Sequence, residues 1–123
     1  MSWVGVASVL GTLSVIAGAF GAHGLRETVT PERLAAWQTG AHYALLHSVA
    51  LLALGLHASA TGRSVNLTGG LWSAGVVLFS GSIFGLVLFE TRALGPLTPI
   101  GGLLLIAGWA SLFWLFRGAG SNP

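Results

Sequence analysis

The chain has 123 residues, 54% of them hydrophobic and 7% charged, with a formal net charge of +2 and no cysteine. Soluble globular domains carry roughly 25% charged residues, so water is not the main solvent of this polypeptide. Without Cys there are no disulfides, thiolate metal sites or cysteine nucleophiles. The pI near 10.6 comes from arginines scattered one or two per loop, which offers no patch to nucleic-acid phosphates.

Four segments contain no Asp, Glu, Lys or Arg: Val4 to Ala22, Ala41 to Ala60, Leu71 to Phe89 and Ile100 to Phe116. At about 1.5 Å per residue they reach roughly 26 to 30 Å, the thickness of a hydrocarbon core. Lipid satisfies no backbone hydrogen bonds, and the alternation of barrel strands is absent, which leaves helices. The expected fold is an all-α integral membrane four-helix bundle. Residues 1–117 form its single transmembrane domain, and 118–123 read as a flexible tail. The first segment ends in small residues, Ala19 to Ala22, as a signal peptide would. However, no Lys or Arg precedes Arg26, and an uninterrupted apolar run this long exceeds the roughly 7 to 15 residues of a signal core, so it reads as a permanent helix.

After the first span comes "RETVTPERLAAWQTG", where Thr30 and Pro31 read as helix cap and first helical position, with Leu34 and Trp37 on one side. A short interfacial helix between helices 1 and 2 is expected there. The loops "TGRSVNLTGG" and "TRALGPLTP" are short, so neighbouring helices run antiparallel, and Thr98 with Pro99 repeats the cap signature before span four. Asn66 to Thr68 spells a glycosylation sequon that is read as unused. Four spans put both termini on one side with Arg63 and Arg117, opposite Arg26, Arg33 and Arg92. That balance leaves orientation open and permits insertion both ways.

Helices in lipid associate by close approach over small residues. In span one, Ala7, Gly11, Ser14, Gly18 and Gly21 recur at intervals of 4, 3, 4 and 3. Span three offers Gly81 and Gly85 with Ser82 between them, and span four offers Gly101, Gly108 and Ser111. These are the candidate packing residues. No segment carries the continuous polar lining of a pore. Trp3, Trp37 and Trp72 fall at span ends as belt residues, whereas Trp109 and Trp114 lie deeper.

"GAFGAHGL" closing span one, "WQTGAHYALLHSVALL" opening span two, "FSGSIF" in span three, and "TPIGG" followed by Gly108 and Trp109 stand in order from Gly18 to Trp109. Together they resemble the YgdD-like family of small four-helix inner-membrane proteins, a domain of unknown function with relatives in eukaryotes. The resemblance implies four spans in a bacterial plasma membrane and implies no reaction. A glutamine often follows the tyrosine of that pattern. Here Tyr43 is followed by Ala44, so no role is carried over for that amide.

His23 and His47 fall inside the recurrent motifs, and His47 sits about two turns inside its span, where an ionisable group is a functional candidate by default. If spans one and two are antiparallel with a separate helix between them, the two imidazoles lie at similar depths and meet. Three readings stay open: a neutral His47 that fixes helix packing, a cofactor site in which His23 and His47 supply axial nitrogens to haem b or hold a metal, and a quinone site or proton relay. A metal alone is disfavoured, since no nearby Asp, Glu or Cys completes its coordination. Glu90 and Arg92 close span three on the side of Arg26, Glu27, Glu32 and Arg33 and form an interfacial charge group.

No nucleophile, carboxylate pair or phosphate loop appears, so no catalytic activity is expected. The favoured function is an accessory or structural subunit in the bilayer, docked on other membrane subunits or forming a homo-oligomer, with no nucleic acid partner. The alternative is a haem- or quinone-binding protein using His23 and His47, and third a small-molecule or ion carrier.

Overall fold

Ser2 opens the first helix by accepting the Gly5 N–H on its hydroxyl at 3.0 Å, the side-chain cap expected where the first backbone donors lack partners. In the computed structural model, which describes residues 2–117, four long helices follow. They are α1 (Trp3–Phe20), α2 (Pro31–Thr61), α3 (Asn66–Phe89) and α4 (Leu97–Phe116), and all four are long and apolar enough to cross a membrane. The tail expected to be flexible, 118–123, lies outside the described residues. Among those residues there is no strand.

The short interfacial helix expected before span two is not a separate element. Thr30 caps as expected, accepting from the Arg33 N–H at 3.2 Å, but the helix it starts runs without a break for 31 residues. No proline interrupts it after Pro31, and Gly40 is held in helical packing by Phe84 and Ile83 of α3. At about 1.5 Å per residue α2 is roughly 46 Å long, more than a hydrocarbon core needs, so its first turns with Glu32 and Arg33 extend beyond it. Gly62, at φ 71°, ends α2 in the left-handed conformation that costs glycine least. The expected Thr98 cap is also corrected: α4 begins at Leu97 behind Pro96 with no side-chain cap. The Thr98 hydroxyl is instead taken by Ser82 of α3 at 2.5 Å.

The helices pack in chain order, α1 on α2, α2 on α3 and α3 on α4, with only sparse contact between α1 and the last two. α2 and α3 are therefore the centre, and a larger share of each is buried than of α1 or α4. Trp3 Nε1 donates to Asn66 Oδ1 at 3.0 Å, and Arg63 Nη2 donates to the Leu115 carbonyl at 2.8 Å. The start of α1, the α2–α3 loop and the end of α4 thus share one end of the bundle.

Glycine sets the α3–α4 distance. A methyl group on Gly101 would strike the Phe79 backbone, and one on Gly75 would stand 3.0 Å from the Leu105 nitrogen. Gly108 lies under the Trp72 ring. Buried hydroxyls then bridge the same seam, with Thr68 and Ser111 2.7 Å apart and Ser111 donating to the Gly108 carbonyl. Such bonds between helices add to close packing in a medium that offers no competing water.

Candidate functional site

Two aromatic clusters occupy the interior. The first forms where α1 ends. Its last turn widens into a π-helical turn, Gly21–Leu25, and Trp37 of α2 lies against it. A methyl on Gly21 would come within 2.6 Å of the Trp37 ring, so the glycine is what admits the indole. Trp37 Nε1 donates to the Ala17 carbonyl at 2.8 Å. Its ring meets Phe20 edge-on at 5.7 Å and Phe84 at 4.4 Å. At the same end, Arg33 pairs with Glu90 at 3.0 Å and donates to the Leu86 carbonyl at 3.4 Å. Glu90 ends α3 with φ 54°. Arg92, read with Glu90 as one charge group, lies exposed in a single 3-10 turn, Arg92–Leu94.

The second cluster surrounds His47, which is 3% exposed. Trp109 Nε1 of α4 approaches His47 Nε2 at 3.0 Å. An indole N–H only donates, so Nε2 accepts and the imidazole proton sits on Nδ1. Nδ1–H then donates to the Tyr43 carbonyl one turn back at 2.8 Å. Trp72 completes the group, 4.6 Å from Trp109 and 6.0 Å from the imidazole between ring centroids. Both ring nitrogens of His47 are used. The ring ties α2 to α4, two helices that otherwise touch little.

His23 and His47 are not brought together. His23 is exposed in the π turn and pairs with the Ala19 carbonyl at 3.0 Å. Because α2 is continuous, Trp37 is the residue beside Gly21, and His47 lies ten residues or about 15 Å further along. His42 is exposed. His57, near the far end of α2, is half-buried, and its Nε2 is shielded without a hydrogen-bond partner among the described residues. No group of three or more His, Asp or Glu able to hold a metal occurs among them.

The expected packing residues divide. Gly21, Gly101 and Gly108 are closed over as described, Gly11 has Ser48 at an ordinary 3.7 Å, and Gly85 lies against Leu94 of the 3-10 turn rather than a long helix. Ser14 is buried and donates back to the Leu10 carbonyl. Gly18 and Gly81 are corrected: both are exposed, with nothing within 4 Å of an added methyl. α1 and α3 diverge there, since α1 packs along α2 instead. A seam in α2 had escaped the sequence reading. Gly40, Ala44, Ser48 and Gly55 are all buried. Ser80 donates to the Gly40 carbonyl at 2.6 Å, and a methyl on Gly55 would stand 2.8 Å from the Val4 nitrogen. Their spacing of 4, 4 and 7 was a readable signal.

Between the diverging α1 and α3 runs an open apolar groove of about 430 Å³, with Leu13, Ile16 and Phe20 on one wall, Val77, Gly81 and Leu88 on the other, and Trp37 and Ala44 of α2 at its floor.

The family model described as "Protein of unknown function (DUF423)" matches residues 17–102, more than half of the chain. This chain belongs to the DUF423 family. It is 42% identical over 108 residues to a "UPF0382 membrane protein" of Staphylococcus aureus, covering 85% of this chain and 88% of that one. To one of Staphylococcus haemolyticus it is 44% identical over 100 residues, with 81% and 82% covered. To one of Schizosaccharomyces pombe it is 46% identical over 113 residues, with 87% and 94% covered. No solved structure matches. The protein is therefore a small membrane protein of a family whose function is unknown. The DUF423 segment holds the whole π-turn cluster and His47, and stops short of Trp109.

Proposed function

We propose that this DUF423 protein is a YgdD-like, non-catalytic accessory subunit of the bacterial inner membrane, built as one four-span domain over 1–117 with both ends on one side, and that it receives a helix of a larger membrane complex. The observation that carries this reading is the groove between α1 and α3. It lies where the bundle is unfilled, its walls are apolar, and Gly81 on one wall has nothing among the described residues within 4 Å of an added methyl. Small residues with free space above them are where transmembrane helices approach one another. Haem ligation through His23 and His47 has a specific obstacle, since the Nε2 lone pair already accepts from Trp109 and an iron would have to displace that bond. A carrier reading lacks a mid-span carboxylate, because the acidic residues are Glu27, Glu32 and Glu90.

The test is native purification in mild detergent with mass spectrometry, on wild type and Gly81→Leu. Because a Cβ at Gly81 has nothing within 4 Å among the described residues and the position opens on the groove, the variant should keep the wild-type thermal unfolding profile and lose the partner that wild type retains at fixed stoichiometry. A self-associating chain would instead change from homo-oligomer to monomer. Wild type that purifies alone as a monomer, or a variant that keeps every partner, removes the proposal.

A further inference from the structure

We infer that the cleft between α2 and α4 beside His57 binds the head ring of a quinone-type isoprenoid lipid, with His57 Nε2 as the hydrogen-bond partner of a ring carbonyl. The cleft holds about 280 Å³ and is bounded by Ala53 and His57 of α2, Trp72 of α3, and Trp109 and Phe116 of α4. It is separate from the groove between α1 and α3.

Three observations select the ligand. Two of the bounding residues that stay in place, Trp72 and Trp109, are aromatic, which favours a flat conjugated ring through stacking and edge contacts. One imidazole nitrogen, His57 Nε2, has no partner among the described residues, and a buried polar atom left unpaired is destabilising until a partner reaches it. Trp72 Nε1 is likewise unpartnered, but it faces Gly108, 2.6 Å from where a methyl there would stand, so it is not assigned to the ligand. The cleft also lies at a defined depth. His57 is about a turn and a half before Arg63, whose guanidinium stands 5.6 Å over the Phe116 ring. An arginine there marks the headgroup region, so the ligand is a lipid with a polar ring near the interface and a tail in the hydrocarbon. Trp109, 46% exposed, lies on the open side where such a tail would leave.

The Phe116 ring stands edge-on to the imidazole, 4.8 Å between centroids, and helps to cover it. The incoming ring takes the place of this side chain, which sits in the last turn of α4 where helices fray most easily. Binding alone is inferred, with no electron transfer.

The experiment titrates the full chain in lipid nanodiscs with a quinone carrying one isoprenoid unit and follows tryptophan fluorescence. Wild type should quench saturably. His57→Leu should weaken binding about tenfold, the factor expected for one hydrogen bond to a shielded partner. Ala53→Phe, which fills the cleft, should abolish the saturable phase, and Phe116→Ala should tighten binding. If Ala53→Phe fails to fold, Leu112→Phe fills the same space. Gly81→Leu should bind like wild type, so loss of a protein partner and loss of the quinone are read independently. Quenching that rises linearly with probe, or saturable quenching that His57→Leu and the cleft-filling variant both leave unchanged, overturns the assignment.

Discussion

α3 turns one side to α4 and another to α1, and it uses the same residue types on both. Toward α4, Gly75 and Ser82 are consumed: an added methyl at Gly75 would meet Leu105, and the Ser82 hydroxyl is paired with Thr98. Toward α1, Gly81 has nothing within 4 Å. The first side brings backbones together until a single methyl is too much, and the second leaves a groove of about 430 Å³. A small residue in a bilayer helix is thus a permission for close approach, and it has structural content only where a neighbour accepts it. Where none does, an acyl chain or a partner helix can take the space at little free-energy difference, since acyl chains and leucine side chains are equally apolar.

That contrast can be broken most sharply by alanine. Gly101→Ala pushes a methyl into the Phe79 backbone, which cannot rotate away, and should destabilise the protein by about 3 kcal/mol. Gly81→Ala should change stability by less than about 0.5 kcal/mol. Unfolding by denaturing detergent, followed by circular dichroism, compares the two, and equal effects would refute the distinction between the sides.

A smaller effect is expected at the groove floor. Trp37→Phe keeps a ring on Gly21 but leaves the Ala17 carbonyl without the indole donor, and should cost about 1.5 kcal/mol. Faster amide hydrogen exchange at the end of α1 than at the end of α4 would locate the loss on the open side.

The clamp between α2 and α4 comes next. In a double-mutant cycle, His47→Phe and Trp109→Phe should couple by about 1 kcal/mol, in the range of interhelical bonds measured in bilayers. Coupling near zero would mean that the Trp109 bond adds nothing to packing. The least effect is expected at Glu90→Gln, which weakens the pair with Arg33. Glu90 is 72% exposed, so the loss should be about 0.5 kcal/mol and should shrink with added salt.

Much of the architecture was legible beforehand, because length and the absence of charge are enough to specify a span in hydrocarbon. All four helices, the Thr30 cap and the tight glycines at Gly21, Gly101 and Gly108 follow from local sequence. The histidines were less legible. Helical spacing gives the depth and face of His47, but not which helix lies opposite, and the pairing with Trp109 spans 62 positions of sequence. The separation of His23 from His47 turned on whether α2 was broken before Ala41, and propensity alone does not decide that when the candidate breaker is one glycine. His57 lies outside the recurrent motifs, and as an isolated imidazole near a helix end it is not singled out by the sequence. Its unpartnered nitrogen is a property of what surrounds it.

Sequence by itself determined the solvent, the number of helices and the residues small enough to let backbones touch, because each is a sum over neighbouring positions along one chain. Tertiary structure decided which of those small residues are covered, which imidazole has both nitrogens engaged and where the bundle stays open, because in a medium as apolar as the side chains, hydrophobicity does not choose between a protein neighbour and a lipid one. That choice rests on shape and on a few hydrogen bonds between residues far apart in the chain.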